Sequence, residues 1–545
     1  MSEFNLADLF ELVAAAVPDR TALVAGPVRL TYRQLDTRAN RFGNYLLGLG
    51  VPTGTHVGIV AHNRSEWVEA AIGCFKARMV PINVNYRYVA PELRYLVDNA
   101  DLEVLVVEDS LLPLARQAVA DRRPSPRLVV IGAQPLLAEA GDADPFESFE
   151  SAVTASSPEP PGRPRSGDDH YVLYTGGTTG QPKGVVWRQE DIFFAAMGGG
   201  GWASTPIARP EELTERMAAG RSASAAAMLV TAPLMHGNAQ WASWSCFFMG
   251  GTVVLYTERT YDARSVLRLV SEEHVLSVAL VGDAMARPLS RALADSPPGT
   301  YDTSSLLVIG SGGAMLSAAV KGELEEQLPG VIVMDRFGAS ESGAQGAVER
   351  GARGPRFVMG PDTTVLDDDL RSLSPGDGRV GRLARTGRIP LCYYKDAAKT
   401  AATFPVDARG TRWSVPGDLA SIEPDGTITV HGRGSATINS GGEKIFPEEV
   451  EGAIKSHPDV FDAVVVGLPD ERFGERVAAV VSSRGAGTRI GLEDVQDHCR
   501  RLVAGYKVPR QLLVVEEIPL TAAGKPDRAA ARVLLEPSGS EGSPA

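Results

Sequence analysis

The sequence predicts an α/β protein with a large multi-sheet N-terminal domain and a small α+β C-terminal domain. Strand-length apolar segments alternate with amphipathic helical segments along most of the chain, an order that gives parallel sheets covered by helices. Near the C-terminus this order gives way to a hairpin, a Gly-rich loop and a short mixture of strands and helices. The length, 545 residues, and a composition with 44% hydrophobic and 22% charged residues allow one large core and a second small one.

In chain order, LTYRQLDTRANRFGNYLLGLG (30–50) sets Leu35, Ala39, Phe42, Leu46 and Leu49 at helical spacing and stops at Gly50. HVGIVA (56–61) reads as a strand, SEWVEAAIGCFKA (65–77) as a helix and MVPINV (79–84) as a strand. The rhythm returns with GTVVLYT, a helix from about Asp262, HVLSVALVG, a helix through Met285, LLVIG, a helix from Ser317, and VIVM. Residues 156–169 and 198–212, rich in Gly, Pro and Ser, read as loops. GDLASIEPDGTITVHGR (417–433) reads as a hairpin turning at Asp425-Gly426. These readings set domains at 1–432 and 437–535, a boundary segment at 433–436 and a disordered tail at 536–545.

A net charge of −13 argues against a nucleic-acid-binding surface, which needs clustered cations. Cys74, Cys246, Cys392 and Cys499 lie far apart without metal-ligand spacing, which suggests reduced thiols in a cytoplasmic protein. The N-terminal stretch lacks a basic n-region, and no run of about 18 apolar residues implies an integral membrane segment.

The stretch YTGGTTGQPKGV (174–185) has the ingredients of anion binding. Gly176, Gly177 and Gly180 permit close backbone approach, Thr175, Thr178 and Thr179 offer hydroxyls, and Lys183 offers charge. It matches neither the Walker spacing nor GxGxxG. A flexible surface turn is the competing reading; the preceding strand and the embedded lysine favour phosphate.

Seven further stretches follow it: PLMHG (233–237), GSGGAML (310–316), DRFGASESG (335–343), YYKDAAKTAATF (393–404), VPGDLA (415–420), GRGSATINSGGEKIFPEEVE (432–451) and LTAAGKPDR (520–528). In this order the set resembles the AMP-forming adenylating superfamily of acyl-CoA synthetases, peptide-synthetase adenylation domains and luciferases. The resemblance implies a small, mobile C-terminal domain, with ATP, Mg2+ and coenzyme A as cofactors and a small-molecule carboxylic acid as substrate. A homodimer is compatible with it. The implied chemistry is acyl-adenylate formation with pyrophosphate release, then transfer to coenzyme A.

By the same resemblance, residues 175–180 and Lys183 hold phosphates, Ser340 contacts phosphate, and Glu341 binds Mg2+. Gly312, Gly313, Ala314, Arg336, Phe337 and Gly338 border the nucleotide, although a core aromatic accounts for Phe337 almost as well. Asp418 accepts the ribose hydroxyls, against simple turn formation, and Arg433 reaches ribose or phosphate. Lys525 serves adenylation. His236, Gly237 and Trp241 border the acid, although a lone histidine between apolar segments is more often a core residue. Gly441, Gly442 and Lys444 border coenzyme A. Ser435 stands at the pivot, where relatives commonly carry Asp or Lys, and FGASE replaces the usual YGxTE.

LYTGGTTGQPKGVVWRQEDI, VGDAMARPL and GRGSATINSGGEKIFPEEVE are similar to stretches of actinobacterial fatty-acid-type ligases, including those acting on steroid side chains. Small residues at 310–314 suggest room for a bulky or aromatic acid, against mere close packing. The alternatives are an adenylating enzyme with a non-CoA nucleophile and a non-catalytic protein on the same fold, the latter disfavoured by the presence of Glu341 and Lys525.

Overall fold

In a computed structural model the described residues are 3–132, 146–175, 181–200, 205–219, 226–314, 316–347, 356–433, 436–440, 443–470, 474–485, 489–503, 505–521 and 524–536. Gly176–Gly180 of the glycine loop, Ser435, Gly441, Gly442 and the tail from residue 537 lie outside them. Packing divides the chain into two units. One comprises Met1–Met315, Leu324–Gln345 and Arg385–Ser414; the other Leu316–Glu323, Gly346–Ala384 and Val415–Ala545.

The first unit is built on two eight-stranded sheets. One runs Gly343–Ala347, Ile332–Ala339, Val308–Gly312, Val275–Leu280, Ala227–Val230, Thr252–Leu255, Thr21–Ala25, Val28–Thr31. From Ile332–Ala339 to Thr21–Ala25 its neighbours are parallel. The other runs Cys392–Tyr393, Lys183–Arg188, His170–Thr175, Val80–Asn83, His56–Val60, Val104–Glu108, Arg127–Ile131, Glu147–Ser148. It is parallel except at its first two pairings, which are antiparallel.

The predicted first helix spans Tyr32–Gly48 and buries Leu35, Ala39, Phe42 and Leu46. Thr31 and Gln34 close its N-terminus as a capping box, each side chain bonding the other's backbone N–H. Leu49 caps the C-terminus and Gly50 turns the chain at φ +72°. Asp262 caps the predicted helix Ala263–Glu272 through the N–H of Ser265 at 3.0 Å. The strand expected at VIVM extends through DRFGA as Ile332–Ala339.

The second unit contains the predicted hairpin, Asp418–Ile422 against Ile428–Arg433, with Ile422 opposite Ile428. Toward the C-terminus, Val460–Asp470 and Gly474–Ser483 pair antiparallel, and Gln511–Val515 joins the latter in parallel. Ala463 and Val465 pack in a cluster with Val450 and Ile454 of helix Pro447–Lys455. Val464, Val466 and Leu468 pack with Ala531 and Leu535 of helix Arg528–Leu535. Burial on both faces explains why DAVVVGL reads as one unbroken apolar run. Among the described residues no helix is long and apolar enough to cross a membrane.

Candidate active site

Strands His170–Thr175 and Lys183–Arg188 form a hairpin in which Thr175 lies opposite Lys183, so the glycine loop joins their paired ends. The short strand Cys392–Tyr393 lies on the other edge of Lys183–Arg188, pairing Tyr393 with Val185. This register brings YYKDAAKT to Lys183. Lys183 Nζ donates to the Asp396 carboxylate, which also accepts the N–H of Lys399 at 2.9 Å. Those donors, the lysine first, hold the Asp396 carboxyl below its ordinary range. The ammonium stands 6.0 Å from the centre of the Tyr393 ring.

The Tyr393 hydroxyl donates to Glu341 Oε1 at 2.7 Å. Ser414 Oγ donates to the Glu341 carbonyl at 2.5 Å. Trp187, fully buried on the Lys183 strand, donates its indole N–H to the Ser340 carbonyl at 3.0 Å. Arg385 holds the next turn through the carbonyls of Ser342 and Ala344, at 2.6 and 2.9 Å. Lys183, Ser340 and Glu341 are thereby tied into one framework. Phe337 and Gly338 are half-buried and Arg336 is exposed, so Phe337 lies outside the apolar core. A Cβ at Gly338 would come within 2.4 Å of the Gly343 carbonyl, so the backbones cross there at glycine distance.

His236 is the N-cap residue of helix Gly237–Phe248 and is half-buried. A Cβ at Gly237 would meet Leu173 at 2.7 Å, so this glycine lets the helix pack on the strand that precedes the glycine loop. Trp241 packs over it, half-buried. Asn238 donates 3.2 Å hydrogen bonds to the carbonyls of Leu280 and Gly312, fixing the helix start against two strand ends. At Gly310 an added Cβ would touch nothing closer than 3.9 Å, and at Gly313 nothing within 4 Å. Close packing therefore accounts for Gly312 and not for those two. Ala314 is half-buried.

Two buried asparagines, which the sequence reading passed over, pin PLMHG from below. Asn83 donates to the carbonyls of Met235 and Tyr174, at 2.6 and 2.8 Å, and accepts the Tyr174 N–H at 2.8 Å. Asn63 donates to the Ala232 carbonyl at 3.0 Å and accepts the Leu234 N–H at 2.7 Å. Tyr393 and Asp396 lie inside the motif YYKDAAKTAATF, whose sequence alone assigns neither a role. Asn83 ends an apolar strand, where its side chain carries no sequence signal.

The remaining predicted residues belong to the second unit. Asp418 is buried at the start of its strand, with Arg433 opposite. Lys444 lies on strand Glu443–Ile445, opposite Asn439. Lys525 is exposed on a turn closed by Thr521 N–H to the Lys525 carbonyl, 2.7 Å, and Gly524 N–H to the Thr521 carbonyl, 2.8 Å.

Residues 10–389 match the family model of the AMP-binding enzymes, and residues 449–525 match that of the AMP-binding enzyme C-terminal domain. The chain belongs to the AMP-binding enzymes. This AMP-binding enzyme is 45% identical over 541 residues to a 3-oxocholest-4-en-26-oate–CoA ligase of Rhodococcus rhodochrous, covering 96% of this chain and 94% of the relative. It is 44% identical over 547 residues to a medium/long-chain-fatty-acid–CoA/3-oxocholest-4-en-26-oate–CoA ligase of Mycolicibacterium smegmatis, covering 98% and 96%. Its fold matches the crystal structure of an anthranilate CoA ligase in complex with anthranoyl-AMP, with a TM-score of 0.84, 24% identity and 98% of each chain covered. The family and the α/β architecture expected from the sequence are both borne out.

Proposed function

We propose that the protein is an AMP-forming acyl-CoA synthetase. It activates a carboxylic acid with ATP to an acyl-adenylate, releases pyrophosphate, and passes the acyl group to coenzyme A. The observation that carries this reading is the linkage of Lys183 to Asp396 and of Tyr393 to Glu341, which ties a lysine able to bind phosphate and a carboxylate able to bind Mg2+ to one short segment.

Glu341 fits Mg2+, which takes one or two carboxylates and completes its octahedron with water and phosphate oxygens. Tyr393 orients one carboxylate oxygen. Bound, the ion neutralises charge building on the phosphates. Lys183 exchanges Asp396 for phosphate oxygens when ATP enters. Thr175 and Ser340 add donors, Asp418 accepts the ribose hydroxyls, and Lys525 supplies the mobile charge of the adenylation step. His236, Gly237 and Trp241 border the acid, and Gly441, Gly442 and Lys444 border coenzyme A.

The acid is a bulky lipid carboxylate, of fatty or steroid side-chain type. The relatives' activities support this. Four unpaired cysteines, three of them buried, support a reducing, cytoplasmic setting.

A pyrophosphate-release screen across carboxylic acids, with and without coenzyme A, tests the reading. AMP, pyrophosphate and an acyl thioester from a long-chain or steroid acid are expected. ADP with orthophosphate would overturn the reaction, turnover of short linear acids alone would overturn the bulky substrate, and AMP release requiring another acceptor would replace coenzyme A.

A further inference from the structure

Glu448 occupies an unusual position at the start of helix Pro447–Lys455. Its Oε1 accepts Arg528 Nη2 at 3.0 Å, and the same nitrogen donates to Glu451 Oε1 at 2.8 Å. Glu451 in turn accepts the N–H of Val465 at 2.9 Å, which anchors the cluster to Val460–Asp470, an edge strand of the C-terminal sheet. Arg528 follows Lys525 by three residues, and the turn between them is tied down by Asp527 N–H to the Pro519 carbonyl at 2.9 Å. The Lys525 turn is therefore clamped to two glutamates by one guanidinium.

The other oxygen of Glu448 points elsewhere. Oε2 is buried without a hydrogen-bond partner among the described residues. It lies where a Cβ on Gly432 would be, 2.1 Å from that position, and Gly432 has a φ of +101°. Gly432 pairs with Leu419 in the hairpin, next to the Asp418–Arg433 pair. One carboxyl thus touches both the Lys525 clamp and the strand leading into residues 433–436. Burial first, with Glu451 and Asp418 adding negative charge against the pull of Arg528, pushes this carboxyl up to about 7. A desolvated, half-paired carboxyl is costly to keep, and a purely structural role would be better met by an apolar side chain.

We propose that Glu448 is a positioning residue for adenylation: through Arg528 it fixes the Lys525 turn, and against Gly432 it registers that turn on the Asp418 hairpin. The proposal rests on the reading that Lys525 serves adenylation, and it adds the residues that aim the lysine. Gly432 is part of the device, because any side chain there displaces the carboxyl.

The experiment measures adenylate formation and thioester formation from preformed acyl-adenylate separately, in the full-length Glu448→Ala, Glu448→Gln, Gly432→Ala and Lys525→Ala variants, with the apparent melting temperature of each. Glu448→Ala and Gly432→Ala are expected to slow adenylation by roughly tenfold to a hundredfold, a misplacement-sized loss. They should leave the thioester step within about twofold. Glu448→Gln, which keeps the acceptor toward Arg528, should recover most of the rate. Its melting temperature should equal or exceed that of the parent. Equal loss in both half-reactions, or a melting temperature that falls in step with the rate, overturns the proposal. Lys525→Ala reads the underlying assignment alone: if that variant still adenylates, the lysine's role falls, whatever Glu448 does.

Discussion

A single phenol orients Glu341. The Tyr393 hydroxyl is the donor that fixes Oε1, and a hydrogen bond to a charged acceptor contributes about 1.5 kcal/mol or more. Tyr393→Phe is expected to slow adenylation by about tenfold and to raise the Mg2+ concentration needed for half-maximal rate. An unchanged Mg2+ titration would show that the carboxylate needs no such support. A second residue, remote from this chemistry, contributes to the pH dependence of stability. Glu69 is 1% exposed and bonded to Arg38 Nε at 2.9 Å. Burial nevertheless dominates and pushes its carboxyl up to about 7, from an ordinary 4.5. The folded state therefore holds this proton more tightly than the unfolded chain. The stabilisation is complete below about pH 4.5 and lost as pH rises to about 7, at a cost of roughly 3 kcal/mol. Glu69→Gln should flatten that part of the stability–pH curve measured by urea midpoints. A variant with the parent's slope would refute the assignment.

At the scale of elements, the site depends on strands and segments that bond across large sequence separations. Asn83, on strand Val80–Asn83, closes three hydrogen bonds that bind the end of strand His170–Thr175 to the segment before His236. Asn83→Ala leaves one N–H and two carbonyls of this interior without that partner. The expected loss is about 3 kcal/mol of stability in denaturant titrations, with a rise in KM for the acid as the His236 segment loosens. A variant of parental stability and KM would mean that water replaces the amide without cost. The same contrast decides what was legible beforehand. Helix Tyr32–Gly48 was readable because Leu35, Ala39, Phe42 and Leu46 repeat at the period of one buried face. The hairpin at Asp425-Gly426 was readable because its turn chemistry is local. Strand Cys392–Tyr393 was not. It is two residues long, too short for any periodicity, and its partner lies about two hundred residues earlier. Hence Tyr393 and Asp396 could be placed in a motif, while their hydrogen bonds to Glu341 and Lys183 could not. The extension of Ile332 through Ala339 was hidden for a related reason: Gly338 belongs there for a backbone crossing, which no local pattern reports.

For the whole molecule, the change of pattern after the hairpin announced a second body of structure, and the C-terminal family model begins within that stretch at residue 449. Lys525 lies there, exposed on a turn closed by backbone hydrogen bonds. The bonds that close this turn run between Thr521, Gly524 and the Lys525 backbone. Removing its exposed side chain should cost little in stability, as is usual for exposed charges. Its proposed task, in contrast, is to meet negative charge as a carboxylate attacks the α-phosphate, where one missing donor costs about a hundredfold or more. Lys525→Ala should keep the parent's melting temperature, lose adenylation on that scale, and still convert preformed acyl-adenylate and coenzyme A to the thioester. The two steps would then draw on different residues of one chain. If both rates fell together while the fold held, the lysine would serve a property common to both steps, and adenylation would need another cation.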